Sequence, residues 1–137
     1  MNPENNVFIL DSYALLAYLG GEPGQPRIKN ALARAKDGKS RLLLCTINFG
    51  EVLYMTERRR GFSSAQNVQA LIEHLPIEIL EATRNLVLDA AHIKANHAMS
   101  YADAFIVAIA QREGGIILTG DPEFKTVEEL VTLEWLE

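Results

Sequence analysis

The sequence predicts an α/β fold with a mainly parallel central sheet, and three observations lead there. Short apolar runs at 7–10, 42–45, 77–80 and 116–118 alternate with longer stretches of helical periodicity. The run Ile116-Ile117-Leu118 is apolar throughout, the pattern of a strand buried on both faces of a parallel sheet. Acids recur just past the strands: Asp11 after the first, Glu51 shortly after the second, Asp121 after the fourth. In an open α/β sheet that edge is where ligands bind.

The chain of 137 residues is the length of one domain, 1–137, able to bury a core. A hydrophobic fraction of 48% fits a folded globular chain and excludes a disordered one. The net charge of -5 excludes a protein that coats nucleic acid nonspecifically, so any such binding must come from local patches. The single cysteine, Cys45, lies in an apolar run; it rules out an intrachain disulfide and reads as a small buried hydrophobe. Residues 1–6 are polar with no basic segment, and no apolar run approaches about 18 residues. Neither a signal peptide nor a membrane span is expected, and the cytoplasm is the expected compartment. There is no internal repeat and no interdomain linker.

In chain order, 7–10 is a strand closed by Asp11-Ser12, and 13–19 a short helix ended by Gly20-Gly21. A Pro/Gly loop covers 22–26. Residues 27–36 form an amphipathic helix with Ile28, Ala31, Leu32 and Ala35 on one face. The second strand is 42–45, and Asn48 starts a helix that ends in Arg58-Arg59-Arg60-Gly61. Ser63 and Gln66 make a capping box for the next helix, which stops at Leu75-Pro76. A third strand at 77–80 precedes a helix over 86–98. Ser100 then opens a helix with Ala102, Phe105, Ile106, Ile109 and Ala110 on its apolar face, and Gly114 supplies the left-handed residue that ends it. After strand 116–118 comes the turn at Asp121-Pro122, and 131–136 alternates as a last strand at an edge.

Parallel topology sends Asp11, Glu51 and Asp121 to one edge, and Asp103, from the first turn of its helix, joins them. Each acid also has a purely structural reading. Asp11 and Asp121 suit N-caps, and Asn48-x-x-Glu51 and Ser100-x-x-Asp103 resemble capping boxes. Serine, threonine or asparagine would cap as well, so carboxylates at every junction weaken that reading. Two carboxylates about 5 Å apart repel by roughly 3 kcal/mol at an effective dielectric of about 20, while a helix N-terminus offsets under about 1 kcal/mol. A convergent set of four therefore takes up protons or binds a hard cation. Mg²⁺ and Mn²⁺ prefer such oxygen ligands, and a metal that keeps exchangeable waters suits phosphodiester hydrolysis. Ser12, Asn48 and Thr119 are placed to hydrogen-bond those carboxylates.

The strings FILDSYALLAYL, TINFGEVLY, MSYADAFIVAIA and ILTGDPEF resemble the successive motifs of PIN domains, most closely the VapC toxins of toxin–antitoxin pairs. The resemblance spans nearly the whole chain and is weakest over 20–45 and 62–97. It implies a Rossmann-like, three-layer PIN fold and a Mg²⁺- or Mn²⁺-dependent endoribonuclease acting on RNA. It further implies homodimerisation and inhibition by a cognate antitoxin protein. Carried over, it makes Asp11, Glu51, Asp103 and Asp121 the catalytic, metal-binding set. Asn48 stands where many relatives carry Ser or Thr.

The basic run Arg58, Arg59 and Arg60 reads either as a helix end favourable to the dipole or as phosphate contacts that draw RNA to an acidic site. Arg27, Lys29 and Arg34 are weaker candidates of the same kind. His92 and His97 lack the spacing that puts two ligands side by side on a helix, and no zinc motif emerges. Tyr13, Tyr54 and Tyr101 sit near the acidic junctions, where packing is the default and base stacking the alternative. A haloacid dehalogenase-type phosphatase would need an acid at position 13, which is Tyr13, and a receiver domain would need an acid beside Asp11. The readings that remain beside a toxin nuclease are a non-catalytic PIN-fold module that binds RNA or protein, and a PIN nuclease in RNA processing without an antitoxin.

Overall fold

The computed structural model describes residues 6–136, so the expectation about the start of the chain falls mostly on residues outside it. Five strands, β1 (Val7–Leu10), β2 (Arg41–Cys45), β3 (Glu78–Leu80), β4 (Ile116–Thr119) and β5 (Thr132–Trp135), form one sheet in the order β3-β2-β1-β4-β5. All four pairings are parallel. Six helices connect them: α1 (Ser12–Leu19), α2 (Gln25–Lys36), α3 (Thr46–Arg60), α4 (Phe62–His74), α5 (Arg84–Asn96) and α6 (Tyr101–Glu113). A 3₁₀ helix, Pro122–Val127, links β4 to β5, which lies at the edge as expected.

Period-two alternation divides the strand residues between two buried faces. Ile9, Leu43 and Ile117 pack with α5, α6 and the 3₁₀ helix, where Phe124 is fully buried. Leu10, Leu42, Leu44 and Leu118 pack with α1 to α4 through Leu15, Ile28, Val52 and Ile72. The result is the expected α/β/α layering. Cys45 is buried, as its sequence setting implied. No described helix is long and apolar enough to cross a membrane.

Several local expectations are corrected. Helix α2 begins at Gln25, because Pro26 fits the first helical turn rather than a loop. Helix α5 runs over Arg84–Asn96 instead of 86–98, started by the Thr83 hydroxyl, which accepts from Leu86 N–H. Helix α4 follows Gly61 with no side-chain cap, so Ser63 and Gln66 make no capping box; the positive φ of 91° at Gly61 turns the chain from α3 directly into α4. Helix α3 starts at Thr46, two residues before Asn48, and Asn48 does not cap it. Helix α6 is buried on every face from Asp103 to Ala110, since it lies between the sheet and α5, so its apolar stripe understated its burial.

Three features of this frame position the site. The order β3-β2-β1-β4-β5 places the topological switch point between β1 and β4, where an open α/β sheet leaves a crevice at its carboxyl edge. Leu10 is in register with Leu118, so Asp11 and Thr119 emerge side by side. Gly114, left-handed at φ 67° and ψ 37°, ends α6 so that β4 returns beside β1.

Candidate functional site

All four sequence-identified acids line one cavity of about 320 Å³ at this crevice, with Ser12, Tyr13, Ser100 and Glu123 beside them. A larger cavity of about 510 Å³ between α2 and the end of α4 is lined by Lys29, Leu32 and His74 among others and contains no acid.

Asp11 is 1% exposed and caps α1, its Oδ1 accepting from Ala14 N–H at 2.7 Å. Its Oδ2 accepts from the Thr119 hydroxyl. That hydroxyl also accepts from Asp121 N–H at 3.0 Å, so Thr119 ties the two acids across the switch point. Burial raises the Asp11 carboxyl from 3.8 to about 7; the Thr119 and Ala14 hydrogen bonds oppose the rise and nearby Asp121 adds to it.

Asp103 is 6% exposed in the first turn of α6. Its N–H donates to Ser100 Oγ at 3.1 Å, which is half of the expected capping box. The other half is not made by Asp103. The Ser100 N–H donates instead to Glu123 Oε1 at 3.3 Å, which leaves the Asp103 carboxylate for the cavity. Burial first, then the charges of Asp11 and Asp121, raise Asp103 from 3.8 to about 8, with the Ser100 hydroxyl opposing.

Glu51 lies beyond the first turn of α3 and caps nothing. Its Oε1 accepts from Ser12 Oγ at 2.9 Å and from Asn48 Nδ2 at 3.3 Å, so α1 and α3 together aim it at the cavity. Asn48, fully buried, also donates to Ala102 O at 3.4 Å. It thus links α3 to the start of α6, while its Oδ1 has no partner among the described residues. Asp121 caps the 3₁₀ helix by accepting from Glu123 N–H at 2.9 Å, and Pro122 occupies the first turn as expected.

The closest trio is Asp103, Asp121 and Glu123, each with one carboxylate oxygen within 4.8 Å of the others'. Asp11 and Glu51 share the cavity but stand outside this trio. Glu123 was missed in the sequence, although it lies within the motif ILTGDPEF two residues after Asp121. That i, i+2 spacing in a 3₁₀ start, with the glutamate N–H bonded to the aspartate, was the signal available. Three oxygen donors at this separation, one of them the raised Asp103, with the buried and likewise raised Asp11 in the same cavity, fit a hard divalent cation.

The remaining candidates separate by position. Arg59 and Arg60 line a cavity adjoining the acids, whereas Arg58 stacks over Tyr54 at 5.0 Å. Arg27 is paired with Glu134, tying α2 to β5. Tyr13 lines the acidic cavity, 41% exposed, and Tyr101 packs on Phe105 with ring centroids 5.0 Å apart. No histidine belongs to a potential metal cluster among the described residues.

Comparison with known proteins places the fold. No curated protein matches the sequence significantly. Among solved structures, VapBC2 from Rickettsia felis bound to a DNA fragment from their promoter superposes with a TM-score of 0.75 at 15% identity, covering 96% of this chain and 99% of that one. DNA-bound VapBC from Salmonella typhimurium gives a TM-score of 0.72 at 18% identity over 93% of this chain and 96% of that one. The sarcin-ricin loop cleaving toxin VapC20 from Mycobacterium tuberculosis gives 0.61 at 18% identity over 80% and 86%. At these identities the likeness is one of fold. The PIN domain family model matches residues 8–130, and the chain therefore belongs to the PIN domain family.

Proposed function

We propose that this chain, acting as one domain over 1–137, is a metal-dependent endoribonuclease and the toxin of a toxin–antitoxin pair. One observation carries the reading: five carboxylates from four separate segments line one cavity, two of them buried and held above their ordinary pKa. Helix capping accounts for Asp11 and Asp121 but not for Glu51 or for the carboxylate of Asp103. Residues that do not cap and repel one another at close range have a role that offsets the repulsion.

In this proposal Asp103, Asp121 and Glu123 hold Mg²⁺ or Mn²⁺, with Asp11 and Glu51 completing the anionic wall. The bound cation supplies a Lewis acid that neutralises phosphate charge and lowers the pKa of water. Asp11, with both oxygens engaged, is the rigid member; Thr119 and Ala14 N–H fix its orientation. Ser12 and Asn48 orient Glu51 in the same way. A carboxylate freed of its proton on this wall would accept a proton from attacking water.

The family membership supports a nuclease. RNA as substrate and an antitoxin partner are supported by similarity of fold to VapBC complexes and to a sarcin-ricin loop cleaving toxin. A homodimer in the cytoplasm completes the proposal. The test is cleavage of a mixed panel of structured RNAs by purified, antitoxin-free protein with Mg²⁺, with Mn²⁺ and with EDTA, beside Asp103→Asn. Metal-dependent cutting that the variant lacks supports the reading. Absence of both cutting and Mn²⁺ binding overturns it in favour of a non-catalytic module.

A further inference from the structure

The arginine run at the end of α3 divides in the structure. Arg59 and Arg60 line a cavity of about 210 Å³ with Leu19, Thr56, Val68 and one acid, Glu22. Leu16 and Met55 line this cavity and also the acidic one, so the two adjoin along a groove between α1 and α3. Helix geometry sets its direction. Along α3, Glu51 lines the acidic cavity, Met55 lines both and Arg59 lines the other, each four residues on, so acid and cation lie about 12 Å apart along the axis. Arg58 lies outside both cavities, over the exposed ring of Tyr54.

This arrangement solves a problem that the acidic cavity creates. The protein carries a net charge of -5 and gathers five carboxylates where a polyanion must enter. Cations beside the carboxylates, at a distance from the metal, attract the flanking phosphates without neutralising the ligands. Leu16 and Met55 lie where the two cavities meet, and no salt bridge joins these arginines to the acids among the described residues.

We propose that the groove between α1 and α3 is the substrate path, in which Arg59 and Arg60, but not Arg58, hold phosphates of a single-stranded RNA segment whose cleaved bond lies at the acids. The inference rests on RNA being the substrate. Its occupant is RNA rather than a peptide because the cavity beside the acids presents two successive arginines, suited to the phosphates of one strand.

The test uses the full chain with Mg²⁺ on an RNA that the wild type cuts, measuring kcat and KM across a salt series. Arg59→Gln and Arg60→Gln are compared with Arg58→Gln, with thermal melts as the control for folding. Expected is a several-fold rise in KM with kcat held, and a slope of log KM against log salt smaller by about 0.7 for each of the two arginines removed. Arg58→Gln leaves both unchanged. If all three variants match wild type, or Arg58→Gln behaves like the other two, the proposed path is wrong. If instead the Arg59 and Arg60 variants cut normally but escape inhibition by a co-expressed antitoxin, the groove belongs to a protein partner and the RNA assignment falls. A wild type that cuts no RNA overturns the functional reading itself, a result distinct from cutting that ignores the arginines.

Discussion

The Thr119 hydroxyl at the end of β4 donates to Asp11 Oδ2 at the end of β1, and accepts from Asp121 N–H. One side chain thus joins the two strand ends that border the crevice. It stabilises the ionised form of an acid that burial pushes to about 7. Thr119→Val keeps the shape and removes both bonds. Asp11 then rises further, and Mn²⁺ affinity, read by calorimetry at neutral pH, falls about 10–100-fold. Unchanged affinity would show that Asp11 contributes nothing to the ion site.

Glu123 is the most exposed of the trio and the easiest to test without harming the core. Glu123→Gln retains an oxygen that accepts from Ser100 N–H, so α6 keeps its start. It removes one negative ligand. Metal affinity is expected to drop at least several-fold, while the melting temperature in EDTA stays within a degree or two of wild type.

Stability in EDTA is expected to fall as pH rises from about 4 to about 8. Asp11 and Asp103 sit at about 7 and about 8 in the fold against 3.8 ordinarily. Within that window the native state holds protons that the unfolded chain has released, so deprotonation favours unfolding. Below the window both states are protonated and the effect is constant. Adding Mn²⁺ replaces the protons and restores stability most at the alkaline end. Melting curves with and without Mn²⁺ at about pH 5 and pH 8 check both halves; higher metal-free stability at pH 8 would contradict the raised values.

Asp103→Asn removes a like charge from the cluster, and Ser100 still caps α6 through the backbone. At pH 8 the variant is expected to melt in EDTA at or above the wild-type temperature while losing RNA cleavage. A variant that unfolds would make Asp103 a structural residue instead.

Gly115 has a packing reason for being glycine. A Cβ there would collide with Ile9 Cδ1 and stand 3.0 Å from the Val7 carbonyl, where β4 lies against β1. Gly115→Ala is expected to cost about 1–3 kcal/mol in urea unfolding. A neutral result would mean that the start of β4 moves freely against β1.

By itself, the sequence determined the fold class, the strand cores and the four acids, because these rest on local chemistry. Period-two and period-3.6 patterns name elements from side-chain polarity alone; Asp11, Glu51 and Asp121 stand out because each comes after an apolar strand run, and Asp103 because it opens an apolar helix. Helix starts were less legible. Asn48 and Ser63 carry capping chemistry in one dimension, yet α3 and α4 begin earlier, since the backbone turn at Cys45 and the left-handed Gly61 set where each helix leaves its neighbour. Tertiary structure alone decided which carboxylate meets which partner. It brought Glu123, 23 residues along the chain, to the Ser100 N–H that local pattern had given to Asp103. It likewise set Arg59 and Arg60 in the groove and Arg58 outside it. The reason is physical: a hydrogen-bond donor pairs with whichever acceptor the folded sheet edge presents, and sequence distance does not enter that choice.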